Sequence, residues 1–324
     1  MAARVALAVD IGGTRTRIGV VGDDGRVLAH RTLPTPTGGP DAVVAAVAGA
    51  AAPVLAEAGV AREALVGVAA GAPGPLDPRS GVVFEPPNLA GWRDVPLRAL
   101  LEERLGLPAA VENDANAAAL GEAWVGAGRG VADLIYITVS TGVGGGLILG
   151  GELYSGVSGT AGEVGHMTVA LDGPPCFCGR PGHLEGLASG RAIARAARDA
   201  LARGEATSLR HLPPEELSAR TVAEAARAGD AVARTIYERA GTALGAAVAS
   251  LVNLLNPSLI ILGGGVMQAG DLIMAPLRRA ARERAFARPL AAVRLVPAAL
   301  GEDAGLVGAA AVAFRRLPPP SAGG

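Results

Sequence analysis

Lysine is absent from this sequence of 324 residues; all 29 basic side chains are arginine. That removes lysine Schiff bases, a pyridoxal-phosphate lysine, the Walker A lysine and the paired lysine of protein kinases. Any phosphate must be held another way. Cysteine is nearly missing too: only Cys176 and Cys178 occur, so no disulfide framework is available and a reducing cytoplasm is the expected compartment. Aromatic residues make up 3% of the chain while half of it is hydrophobic, so the core must come from Ala, Val and Leu, as in soluble α/β proteins. Positive charge is not in excess: 29 basic against 30 acidic residues leave a net charge of -1, which argues against nucleic acid as a partner. Long hydrophobic runs are lacking as well. The apolar run at 5–9 is too short for an export signal. The uncharged stretch 240–270 is broken by Asn253, Asn256 and Pro257, whereas about 18 unbroken apolar residues are needed to span a bilayer, so no membrane partner is expected.

At roughly 100–200 residues per domain, the length suits one large or two ordinary domains. Strands at 5–11, 18–22 and 27–33, separated by glycine turns, read as an antiparallel meander. A helix at 41–58, opened by Pro40-Asp41 and closed by Gly59, precedes a strand at 65–70. Next come a strand at 109–111, a helix at 114–125, a strand at 134–139, the run STGVGGG at 140–146 and a strand at 147–149. Helices are expected at 189–202, 221–228, 230–255, 270–288 and 303–316, strands at 258–262 and 293–296, and a disordered tail at 317–324. The segments 5–14 and 134–146 share one plan of strand, small-residue turn and strand. Two such copies suggest a duplicated α/β domain with a ligand cleft between the halves.

Asp10-Ile11-Gly12-Gly13-Thr14 ends a buried strand in a turn whose amides can hold an anion without lysine. Asp10 could orient a hydrated magnesium ion, and an ordinary glycine hairpin with a turn aspartate explains the same residues. Thr141, Gly142 and Gly144 to Gly146 offer a second set of amides and a hydroxyl, so that the two turns would clamp one phosphate chain. None of the glycine runs has glycines at i, i+2 and i+5, which weighs against a dinucleotide-binding oxidoreductase. In Glu112-Asn113-Asp114-Ala115-Asn116, Asp114 is placed either to cap a helix or to accept a proton from a hydroxyl nucleophile. His166, Cys176, Cys178 and His183 bring both cysteines and half of the four histidines into eighteen positions. Such a donor set suits tetrahedral structural zinc with no open position for water. His30 and His211 receive no role.

These motifs resemble the ROK family (repressor, open reading frame, kinase) of bacterial sugar kinases over nearly the whole chain, and within it the ATP-dependent glucokinases. The family's DIGGTK loop appears as DIGGTR at 10–15, with Arg15 in the lysine position, and its END-x-N motif is intact at 112–116. Its E-x-GH and CxCGxxGCxE signatures appear as Glu163 to His166 and as CFCGRPGHLE at 176–185, where His183 replaces a cysteine. The resemblance implies two RNase H-like domains of the actin and hexokinase type, with a small domain at 1–113, a large one at 114–302 that carries the zinc loop 166–183, and the helix at 303–316 packed back on the first. It implies Asp114 as general base. Asn88, Asn113, Asp114, Glu163, His166 and Glu185 would bind the sugar. Asp10, Gly12, Gly13, Thr14, Thr141, Gly142, Gly264 and Gly265 would bind MgATP, with the segment 301–310 on the adenosine side. The implied reaction is transfer from ATP to the glucose 6-hydroxyl, in a cytoplasmic homodimer or homotetramer. Kinases for fructose, mannose, N-acetylmannosamine or N-acetylglucosamine, and polyphosphate as donor, fit nearly as well. A sugar-sensing repressor would need a DNA-binding domain ahead of the first strand, for which a start near Val5 leaves no room.

Overall fold

A computed structural model describes residues 4–318. The tail expected at 317–324 lies outside them from 319 onward. Along the chain run β1 (Val5–Ile11), β2 (Arg15–Gly22), β3 (Val27–Pro34), α1 (Pro40–Ala58), β4 (Leu65–Ala72), β5 (Leu76–Asp77) and β6 (Val82–Val83). Then follow α2 (Leu97–Leu105), β7 (Ala109–Asn113), α3 (Asp114–Trp124), β8 (Leu134–Val139), β9 (Val143–Leu149) and β10 (Glu152–Leu153). The last third holds α4 (Glu185–Ala188), α5 (Gly190–Ala202), α6 (Ala219–Arg227), α7 (Ala231–Leu255), β11 (Leu259–Gly263), α8 (Asp271–Arg284), α9 (Ala287–Ala292), β12 (Arg294–Pro297) and α10 (Ala304–Arg316).

Two five-stranded sheets have the same plan, β3-β2-β1-β4-β7 and β10-β9-β8-β11-β12. In the first, β1 pairs antiparallel with β2 and parallel with β4; in the second, β8 and β12 both run parallel to β11. The repeat suggested by 5–14 and 134–146 is therefore a repeat of strand order. β1 reads as an almost unbroken aliphatic run because its residues 5–9 are buried on both faces, as a central strand covered by helices requires.

Two compact units divide the chain. One holds the residues up to Ala132, Gly146–Gly162 and those from Ala298; the other holds Asp133–Gly145 and Glu163–Pro297. This differs from a boundary at 113, because α3 packs against β4, β7 and α10 and so stays with the strand that leads into it. α10 itself packs on β1, β4 and α3.

In the first unit, α1 opens with proline in its first turn and closes on Gly59 at φ 65°, whose amide caps the last carbonyls. By length and hydropathy α1 could cross a membrane, yet Val43, Val44, Val47, Val54 and Leu55 belong to the core and the helix packs on β2 and β3. α2 was not expected from the sequence. Its Leu97, Leu101 and Leu105 are buried and Gly106 at φ 59° ends it. The helix expected at 270–288 is instead α8 and α9, interrupted by Ala285 in an extended conformation.

Glycine is required where α3 crosses α10, since a Cβ on Gly308 would lie 2.2 Å from the carbonyl oxygen of Ala117. Gly308→Ala is expected to destabilise the protein by about 1–3 kcal/mol through overpacking. A denaturant midpoint equal to that of the parent would show that the two helices part without cost.

Candidate active site

The first unit contributes a glycine turn and the END motif. At the turn, the Gly12 amide donates to Arg15 O at 2.9 Å and the Thr35 hydroxyl donates to Gly12 O at 2.6 Å. A Cβ on Gly13 would sit 2.7 Å from Asn88 O, so glycine there lets Asn88 lie directly against the loop. Asp10 closes β1; burial pushes its carboxyl up, while Arg17 and then Arg15 pull it down. Arg15 is thus a cation near Asp10. The segment 301–310 is found here, in the same unit: Asp303 pairs with Arg17 at 2.8 Å, and only glycine at 305 lets α10 approach the Asp10 carboxylate.

The END motif joins β7 to α3. Capping falls to Asn113, whose Oδ1 accepts from the Ala115 and Asn116 amides at 3.0 and 3.2 Å. Asp114 is the first helical residue and is exposed, with Oδ1 accepting from the Ala115 amide at 2.8 Å. Glu112 is fully buried. One of its oxygens accepts from the Asn113 amide at 2.9 Å and from Asn116 Nδ2 at 3.0 Å; the other is paired with Arg316 near the end of α10. Arg316 also donates to Val111 O at 3.2 Å. Sequence reasoning missed Arg316, because 204 residues separate it from Glu112 and no spacing rule joins them.

The second unit contributes the other turn, a cavity and the Cys/His cluster. The turn at Ser140, Thr141 and Gly142 closes through a 2.9 Å bond from the Ser140 amide to Gly142 O, and the Gly190 amide at the start of α5 donates to Ser140 O at 2.8 Å. Glu185 lies behind it, accepting from the Val143 amide at 3.1 Å, and a Cβ on Gly142 would be 2.5 Å from that carboxylate. Gly264, at φ 90°, runs so close to β8 that a Cβ would meet Val139 O at 2.3 Å. Thr141 and Gly265 line a cavity of about 800 Å³ with Phe177, Arg191, Arg195 and Tyr237.

One ligand atom from each of His166, Cys176, Cys178 and His183 lies within 4.8 Å of the others. Cys178 Sγ is 3.2 Å from His183 Nδ1, and Cys176 Sγ is 3.9 Å from His166 Nδ1. The other nitrogen of His166, Nε2, is 3.9 Å from Glu163. Burial pushes the Cys176 thiol up to about 11, and burial pushes the Glu163 carboxyl up as well, with Glu185 adding to the rise and His166 opposing it. Two thiols and two imidazoles converging to this degree fit a tetrahedral ion such as zinc. Because the thiols must lose protons to bind it, metal uptake releases protons and weakens in acid. His30 lies exposed on β3 and His211 is likewise exposed, both away from this cluster in sequence and without an assigned role.

The doubled strand order, with a small-residue turn after the first strand of each sheet, is that of the actin and hexokinase-like two-domain fold. Within that class the chain belongs to the ROK family, whose family model matches residues 6–316. A glucokinase of Halalkalibacterium halodurans is 38% identical over 312 residues, covering 95% of this chain and 94% of its own. An N-acetylmannosamine kinase of Escherichia coli is 36% identical over 309 residues, covering 95% and 97%. A solved ROK family glucokinase from Streptomyces griseus, in complex with glucose and AMPPNP, is 40% identical, with a TM-score of 0.79 and coverage of 96% and 99%.

Proposed function

We propose that this chain is a glucokinase that transfers the γ-phosphoryl group of ATP to the 6-hydroxyl of glucose. The observation that carries the reading is Asp114: Asn113 does the capping, so Asp114 is not needed as a helix cap, and it is exposed at the start of the capped helix. In the reaction the Asp114 carboxylate takes the O6 proton, O6 bonds to the γ-phosphorus, and the bond to the bridging oxygen breaks to leave ADP. Asn88, Asn113, Glu163, His166 and Glu185 hydrogen-bond the other sugar hydroxyls. Carboxylates are suited to this because each can accept two hydroxyl donors.

Gly12, Gly13, Thr14, Thr141, Gly142, Gly264 and Gly265 hold the nucleotide, with its nucleoside assigned to the cavity beside Gly265. Asp10 would orient a hydrated magnesium ion, which would offset the donor's negative charge. Zinc held by His166, Cys176, Cys178 and His183 would be structural and would fix the ring of His166. Cys178→Ser is expected to bring zinc content well below one per chain and to lower Tm; full occupancy in that variant would remove Cys178 from the ligand set. The enzyme is proposed to act in the cytoplasm as a homodimer or homotetramer, which light scattering would decide.

A coupled ADP-release assay with MgATP over hexoses and N-acetylhexosamines tests the reading. Preference for glucose supports it. The N-acetylmannosamine kinase relative makes that sugar the second reading, and preference for it would reassign the substrate while keeping Asp114.

A further inference from the structure

Phe177 stands between the two cysteines of the cluster and lines the cavity of the second unit. The Arg191 guanidinium stacks on that ring at 3.8 Å and Arg195 lies 5.1 Å from its centre. Arg195 is fully engaged: it donates to Pro175 O at 2.9 Å and to Gly186 O at 2.6 Å, tying α5 to both sides of the knuckle. Arg191 differs. Its side chain is exposed and, among the described residues, has no hydrogen bond or ion pair, while its backbone follows the Gly190 amide that sits on Ser140 O. A guanidinium whose N–H donors are unspent, set on an aromatic face at the edge of a cavity shared with Thr141, is arranged to receive an anion. In a chain without lysine, arginine is the side chain left to do so.

We infer that Arg191 binds the phosphate chain of the phosphoryl donor and that Phe177, gripped between Cys176 and Cys178, is the residue that positions it. The Cys/His cluster thereby sets donor affinity, a role separate from any support it gives to the sugar ligands. This rests on the kinase reading above. It requires an intact phenyl face rather than mere bulk, since the attraction is between the ring quadrupole and the cation.

The test is a double-variant cycle in the full-length protein, read by calorimetric binding of AMPPNP and by steady-state kinetics. Arg191→Ala and Phe177→Leu should each weaken AMPPNP binding and raise the KM for ATP by about tenfold, with kcat and the KM for glucose within about twofold. Phe177→Tyr, which keeps the ring, should behave as the parent. The double variant should be no weaker than Arg191→Ala alone, because Phe177 acts only through Arg191. Removing the cluster's metal with a chelator, followed by return to saturating magnesium, should weaken AMPPNP binding in the parent and have no further effect in Phe177→Leu. Additive losses, a rise in the KM for glucose instead, or an equal chelator effect in parent and variant would each overturn the inference. A parent protein inactive on every sugar would count against the kinase reading, while the calorimetric cycle would still report on Arg191 and Phe177.

Discussion

Asp114→Asn is expected to lower kcat by about 10²- to 10⁴-fold, the usual contribution of a positioned general base, while leaving the Kd for glucose within a few-fold of the parent. The substitution keeps the volume and the acceptor to the Ala115 amide, so helix α3 should start where it does now. It removes the negative charge and with it the group that can take the hydroxyl proton. Tm should therefore stay within a degree or two, which separates a chemical loss from a folding loss. Single-turnover measurement with glucose and MgATP is the sharpest readout, because it isolates the transfer step from product release. A kcat within threefold of the parent would mean that another group accepts the proton, and the role of Asp114 would then be confined to binding.

Arg316→Ala is expected to destabilise the first unit strongly. Among the described residues Arg316 is the one cation paired with the Glu112 carboxylate, which has no exposed surface, and breaking such a pair costs about 3–5 kcal/mol because the remaining charge stays buried. Arg316 is about one-third exposed, so the lower end, about 3 kcal/mol, is the better figure. The loss should be accompanied by lower kcat, since Glu112 anchors Asn113 and Asn116 on either side of Asp114. Glu112→Gln should relieve much of the stability loss in the Arg316→Ala background, because a neutral amide no longer demands a counter-ion. If the double variant is as unstable as Arg316→Ala alone, the pair matters for packing and not for charge.

Local signals were legible wherever sequence neighbours decide the structure. β1 and β8 follow from β-branched runs ended by glycine, and the Cys/His cluster follows from spacing in a loop of glycine and proline. The choice of cap was not legible, since both Asn113 and Asp114 have the right chemistry and only the extended conformation of Asn113, with its side chain accepting from the Ala115 and Asn116 amides, identifies it. α2 carried a usable signal in Leu97, Leu101 and Leu105 followed by Gly106, but it is only nine residues long and follows a stretch broken by Pro86, Pro87 and Pro96. Arg316 and Phe177 were invisible for a different reason. Their partners are brought to them by tertiary packing, and an arginine near a helix end or a phenylalanine between two cysteines has no periodicity to mark it.

The order in which the segments are synthesised also follows from the way the chain is divided. A nascent chain that ends at Pro297 already holds every residue of the second unit, but it lacks α10, the helix that covers β1 and β4 and carries the counter-ion of Glu112. The N-terminal strands, although made first, must therefore wait for the last helix before their core is closed. Vectorial synthesis here completes the later-made unit ahead of the earlier one, and during that interval β1 and β4 present an apolar face that chaperones would recognise.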